Sequence, residues 1–210
     1  HMKFSVSSAD LLKQLQIVNG AIGSNPVLPI LEDFLFSIEG NKLTIAATDL
    51  ETSIRTSVEV QSSGDASIAI PAKILMDTLK ALPQQPITFS IDEETFAIGI
   101  TSAYGRYKLA GENGADFPVI PTSDDVNTVV VPAPVLAQAI SKTLFATSND
   151  ELRPAMTGVY FKVADNTMTC VATDAHKLVR FSYDDIADVT EADFIVPKKA
   201  LNLLKTALPQ

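Results

Sequence analysis

The 210-residue sequence predicts an α+β fold: one helix-and-strand module used twice, each copy with two helices packed on antiparallel sheet. Three observations carry that reading. The chain aligns with itself, its helical segments carry apolar stripes on one face, and its short alternating strands meet at hairpin turns.

The self-alignment comes first because every later assignment uses it. A shift of 125 positions lays DFLFSIEGNKLTIAATDLETSIR (Asp33 to Arg55) on GVYFKVADNTMTCVATDAHKLVR (Gly158 to Arg180) without a gap. Seven of the 23 pairs are identical: Phe36/Phe161, Asn41/Asn166, Thr44/Thr169, Ala47/Ala172, Thr48/Thr173, Asp49/Asp174 and Arg55/Arg180. A shift of 126 pairs IPAKILMDTLKALPQ (Ile70 to Gln84) with VPKKALNLLKTALPQ (Val196 to Gln210), with seven identities in 15.

Each copy is expected to start with a helix. Leu11, Leu15, Val18 and Ile22 form an apolar stripe in copy one, and Val135, Ala139, Ile140 and Leu144 form its counterpart after Pro132 and Pro134. Two strands follow, FLFSI and KLTIAA in copy one, joined at Gly40-Asn41, where both residue types tolerate positive φ. A further strand leads to the second helix, which Pro71 or Pro197 opens and which stops before Pro83 or Pro209. On that helix Lys73, Asp77 and Lys80 are assigned to one face and Ile74, Leu75, Thr78, Leu79 and Leu82 to the other. Likewise Lys198 and Lys205 are set opposite Leu201, Leu204 and Leu208. Copy one continues through ITFSI, FAIGI and RYKLA to ADFPVIPTSDD. Measured against copy one, copy two lacks about 38 residues, those matching Gln85 to Thr122, so the chain reads as a truncated piece of a longer protein.

Composition narrows the class. Hydrophobic content of 46% and charged content of 20% are those of a globular domain, and no apolar run reaches the ~20 residues that span a bilayer. No secretory leader is visible, and His1-Met2 reads as an expression scar, so the default compartment is the cytoplasm. One cysteine makes no internal disulfide, and with a single histidine beyond His1 neither zinc nor any other cofactor is expected. The net charge of -9 argues against nucleic acid until it is located. The four helical windows hold seven lysines against two aspartates, a net +5, which leaves -14 on the rest of the chain. Basic helices on an acidic protein suit sequence-independent phosphate contact, and they lack the arginine forks that read base edges.

The stretch VATDAHKLVR places His176 beside Thr173, Asp174 and Cys170, which resembles a nucleophilic site. The repeat argues otherwise, since ATDLETSIR keeps Thr48-Asp49 but has Glu51 where His176 stands. Thr-Asp is therefore read as a turn fixed by side-chain hydrogen bonds to backbone. A hydrolase using His176 and Asp174 stays open as the remote alternative, and a duplicated scaffold without a DNA role as the nearer one, favoured by the bulk charge.

MKFSVSSADLLKQL, LPILEDFLF, TDLE, ADFP, and above all VATDAHKLVR with IVPKKAL resemble the bacterial sliding clamp family, the beta subunit of DNA polymerase III. The resemblance implies duplicated DNA-clamp modules and a non-catalytic accessory subunit of the polymerase. Residues 1–124 would be the first clamp domain and 125–210 an incomplete second, with a third domain absent. It also implies a head-to-tail homodimeric ring around duplex DNA when full length, which this fragment would not close. The implied partners are the replicative polymerase catalytic subunit, the clamp loader, and other polymerases and repair proteins that dock through short peptides. The implied peptide groove comprises Met156, Thr173, Ala175, His176, Lys177 and Leu178, and the implied DNA-facing residues are Lys73, Lys80, Lys198, Lys199, Lys205 and Arg153. Lys177 departs from a common arginine, and Asn25, Asp150, Pro154 and Ala155 replace residues through which relatives often touch DNA.

Overall fold

A computed structural model describes residues 1–120, 131–149, 152, 157–186 and 192–208. The chain divides into two compact units, His1–Ile120 and Pro121–Gln210.

In the first unit, β1 (Met2–Ser7) precedes α1 (Ser8–Val18), so this copy opens on a strand and not on the expected helix. The signal is the alternation Met2, Phe4, Val6, all buried. Ser7 caps α1, its hydroxyl accepting from the Asp10 amide. The helix ends at Val18 and passes into a 3-10 turn, Asn19–Ala21. Leu11, Leu15 and Val18 are fully buried as the stripe requires, while Ile22 lies beyond the helix and is half-buried.

Next come β2 (Asp33–Glu39), β3 (Lys42–Thr48), β4 (Ser53–Glu59), β5 (Gln61–Ser62) and β6 (Ala66–Pro71), then α2 (Ala72–Lys80). After α2 the chain forms β7 (Pro86–Ile91), β8 (Ala97–Ser102), β9 (Gly105–Ala110) and β10 (Glu112–Asn113). Two five-stranded antiparallel sheets result, β5-β1-β7-β8-β9 and β10-β6-β2-β3-β4. Phe89 joins them, with its ring 4.7 Å from Phe4 of the first sheet and 6.1 Å, edge-on, from Phe36 of the second. Each such buried side chain contributes roughly 1.5–3 kcal/mol.

The second unit contains α3 (Ala133–Thr143), β11 (Gly158–Ala164), β12 (Thr167–Thr173), β13 (Leu178–Asp184), β14 (Ala192–Pro197) and α4 (Lys198–Ala207). Its sheet order, β13-β12-β11-β14, reproduces β4-β3-β2-β6 of the first unit. Registers match as well: Leu35 faces Ala46 as Tyr160 faces Val171, and Asp33 faces Pro71 as Gly158 faces Pro197. Helix α1 lies against β3, β4 and α2, just as α3 lies against β12, β13 and α4. Gly158 allows the close approach at the start of β11, where an added Cβ would stand 2.3 Å from the Val196 carbonyl oxygen.

Three further details differ from the sequence reading. A fourth strand, β4 or β13, lies beyond the hairpin in each copy. It is an edge strand of alternating exposed and half-buried residues, which weakens its apolar signal. Ile74 is 54% exposed, because Ala72, Leu75, Met76 and Leu79 form the buried stripe of α2. On α4 only Leu201 is fully buried, and Leu204 is exposed.

Candidate functional site

The Thr-Asp turn between β12 and β13 is built by its own side chains. Thr173 donates its hydroxyl to the Lys177 carbonyl at 2.8 Å and accepts from the Ala175 amide at 3.1 Å. Asp174 Oδ1 accepts from the amides of His176 and Lys177, each at 2.9 Å. These bonds hold Ala175 at φ +76°, which an L-residue adopts only under constraint. They also hold the Asp174 carboxyl below the usual carboxylate range, the Lys177 amide first and the His176 amide second.

The first unit repeats this turn bond for bond. Thr48 donates to the Thr52 carbonyl at 3.2 Å and accepts from Leu50, Asp49 Oδ1 accepts from Glu51 and Thr52, and Leu50 sits at φ +78°. Thr-Asp is therefore architecture. Cys170 is architecture too: it occupies the core position that Ile45 holds in the first unit, both fully buried, and burial pushes its thiol up to about 12. A thiol so placed has no thiolate to offer at neutral pH. Among the described residues, no group of three His, Cys, Asp or Glu side chains could hold a metal ion.

The two turns differ in what they present. Ser53 folds back onto Thr48 at 2.8 Å in the first unit, whereas its counterpart Leu178 is 68% exposed. Ala175, His176 and Lys177 are exposed as well. Leu178 also lines a shallow cavity of about 440 Å³ on the sheet face, together with Tyr160, Lys162, Thr169, Val171 and Arg180. Lys177 Nζ sits 3.8 Å from Asp174 Oδ2 and 5.6 Å from the centroid of the Phe145 ring. The structure thus brings Thr173, Ala175, His176, Lys177 and Leu178 together and adds Phe145, which the sequence reading missed. Met156 and Arg153 lie outside the described residues.

The helix lysines are presented separately in each unit. Lys73 and Lys80 are exposed on α2. Lys199 and Lys205 are exposed on α4, while half-buried Lys198 donates to Asn149 Oδ1 at 2.8 Å. Lys80 and Lys205 stand in the last turns, where the helix dipole favours a cation.

A second feature escaped the sequence reading. Asp33, 3% exposed at the start of β2, meets Glu112 of edge strand β10, and its Oδ2 has no hydrogen-bond partner among the described residues. Burial first, then the neighbouring Glu112 carboxyl, then Glu32, push its carboxyl up to about 7. Both residues line a cavity of about 630 Å³ shared with Glu32, Lys73, Asp77 and Lys80.

If the two turns are equivalent scaffolds, removing either threonine hydroxyl should destabilise its own unit. We expect about 2 kcal/mol for Thr48→Ala, whose hydroxyl is buried, and about 1 kcal/mol for the half-buried Thr173→Ala. Urea denaturation measures both, and a neutral Thr48→Ala would sink the shared-scaffold account.

A helix-on-sheet module duplicated with identical strand order, carrying a side-chain-locked turn in each copy, defines a protein of the DNA-clamp class. Residues 2–121 match the family described as DNA polymerase III beta subunit, N-terminal domain, and residues 122–210 match its central domain. The chain belongs to the DNA polymerase III beta subunit family. It is 35% identical to the beta sliding clamp of Synechocystis sp. over 84% of this chain and 47% of that protein. It is 32% identical to that of Vibrio cholerae over 97% and 56%. The crystal structure of the DNA polymerase sliding clamp from Bacillus subtilis matches with a TM-score of 0.92 at 26% identity, covering all of this chain and 57% of that one. The DNA polymerase III subunit beta from Pseudomonas aeruginosa matches at 0.88 and 28%, covering 99% and 57%. The chain spans about half the length of the relatives it matches.

Proposed function

We propose that this chain serves as a sliding clamp: a non-catalytic processivity factor that encircles duplex DNA and presents a peptide groove to its partners. Membership of the clamp family carries the proposal, and the exposed lysines of α2 and α4 support it. On this reading residues 1–124 form the first clamp domain and 125–210 belong to the second. The full-length protein is a cytoplasmic, head-to-tail homodimer. Lys73, Lys80, Lys198, Lys199, Lys205 and Arg153 face the DNA backbone. Met156, Thr173, Ala175, His176, Lys177 and Leu178 take the tails of the replicative polymerase, the clamp loader, other polymerases and repair proteins. The absence of a usable nucleophile at Cys170 favours tethering over hydrolysis as the role of this turn.

Topological and electrostatic attachment separate by salt. Counterion release weakens ordinary phosphate binding steeply as salt rises, whereas a closed ring on circular DNA cannot leave without opening. With the chain extended to its relatives' length and loaded on nicked circular duplex, we expect retention at high salt and release once the circle is cut. Equal loss from circular and linear DNA would refute the ring.

A further inference from the structure

We infer that Phe145 is a positioning residue: its ring holds the Lys177 ammonium at the mouth of the peptide site, where it takes a carboxylate carried by the bound peptide. The inference rests on the proposed groove and deepens it. Three observations meet here. Phe145 belongs to the 3-10 turn Leu144–Ala146, whose other two side chains are buried while its own ring is 61% exposed, so folding alone does not account for a phenylalanine at this place. Lys177 Nζ lies over that ring at 5.6 Å, within the range in which a ring's negative face attracts a cation. The first unit supplies the control, because Gly20 and Thr52 stand at the positions of Phe145 and Lys177 and yet its turn forms with the same bonds. The pair is therefore surplus to the turn.

What the pair does follows from its surroundings. Asp174 Oδ1 is occupied by two turn amides, and Oδ2 stands 3.8 Å from the ammonium, too long for a direct hydrogen bond. Lys177, 52% exposed at its side chain, keeps donors for a ligand while its neighbours restrict where the ammonium sits. On a chain of net charge -9, an acidic peptide needs such a local cation, and Leu178, the next residue along the chain and the first of β13, adds exposed apolar surface. The ligand chemistry is thus an extended peptide with a carboxylate next to an apolar anchor.

The test uses the chain at its relatives' length and two versions of a polymerase-tail peptide, with aspartate or asparagine placed beside the apolar anchor. Wild type should prefer the aspartate peptide. Phe145→Leu keeps apolar bulk but removes the ring, and should cut that preference roughly two- to fivefold, the range of an exposed cation–π contact. Phe145→Tyr should restore it, Lys177→Met should abolish it, and adding Phe145→Leu to Lys177→Met should cost no further preference. An unchanged preference in Phe145→Leu, or additive losses in the double variant, would overturn the inference while leaving the groove intact. Failure of wild type to bind either peptide would overturn the groove and this inference together.

Discussion

Asp33→Asn should stabilise the first unit at pH 8 and leave its stability at pH 3 unchanged. Asp33 is buried beside Glu112 and near Glu32, and its carboxyl titrates near 7 instead of near 3.8. Below about pH 4 the group is protonated in both folded and unfolded chains, so its contribution is fully present. Between pH 4 and 7 the unfolded chain releases the proton while the folded one keeps it, and stability falls until the folded group ionises as well. The full shift corresponds to roughly 4 kcal/mol, and solvent screening at the cavity reduces this to about 2 kcal/mol. The asparagine amide can donate to Glu112, so the variant should remove the repulsion without leaving a hole. Thermal unfolding should show a gain of roughly 5–10 °C at pH 8 and none at pH 3. A parallel pH profile for variant and wild type would show that the pair does not titrate as its burial implies.

Neutralising Lys73, Lys80 and Lys205 together, in the chain at its relatives' length, should weaken duplex binding on the order of a hundredfold near 100 mM salt. All three are exposed on α2 or α4. Each phosphate contact contributes about 0.9 to the salt slope, so three should lower it by roughly 2.7. The loss should be similar for unrelated DNA sequences, because ammonium groups position the backbone and read no bases. An unchanged slope, with affinity intact, would remove these lysines from the DNA-facing surface.

The duplication was fully legible in the sequence, since identities at constant spacing survive whatever packs around them. That spacing located β2, β3 and β6 and their counterparts, with FLFSI and KLTIAA falling inside Asp33–Glu39 and Lys42–Thr48, and it identified Thr-Asp as a turn. Edge strands β4 and β13 were harder to see, because a strand with no fully buried face writes only a faint alternation. Ile74 was misplaced on α2 because helical spacing admits two neighbouring apolar stripes, and only the sheet beneath selects Ala72, Leu75, Met76 and Leu79. The chain by itself therefore determined the repeated module and its turns, which depend on local spacing and local hydrogen bonds. Tertiary structure alone decided the Lys177–Phe145 contact, the Asp33–Glu112 pair and the exposure of Leu178. These join residues far apart in sequence, and their chemistry arises from the dielectric and the neighbours that packing imposes.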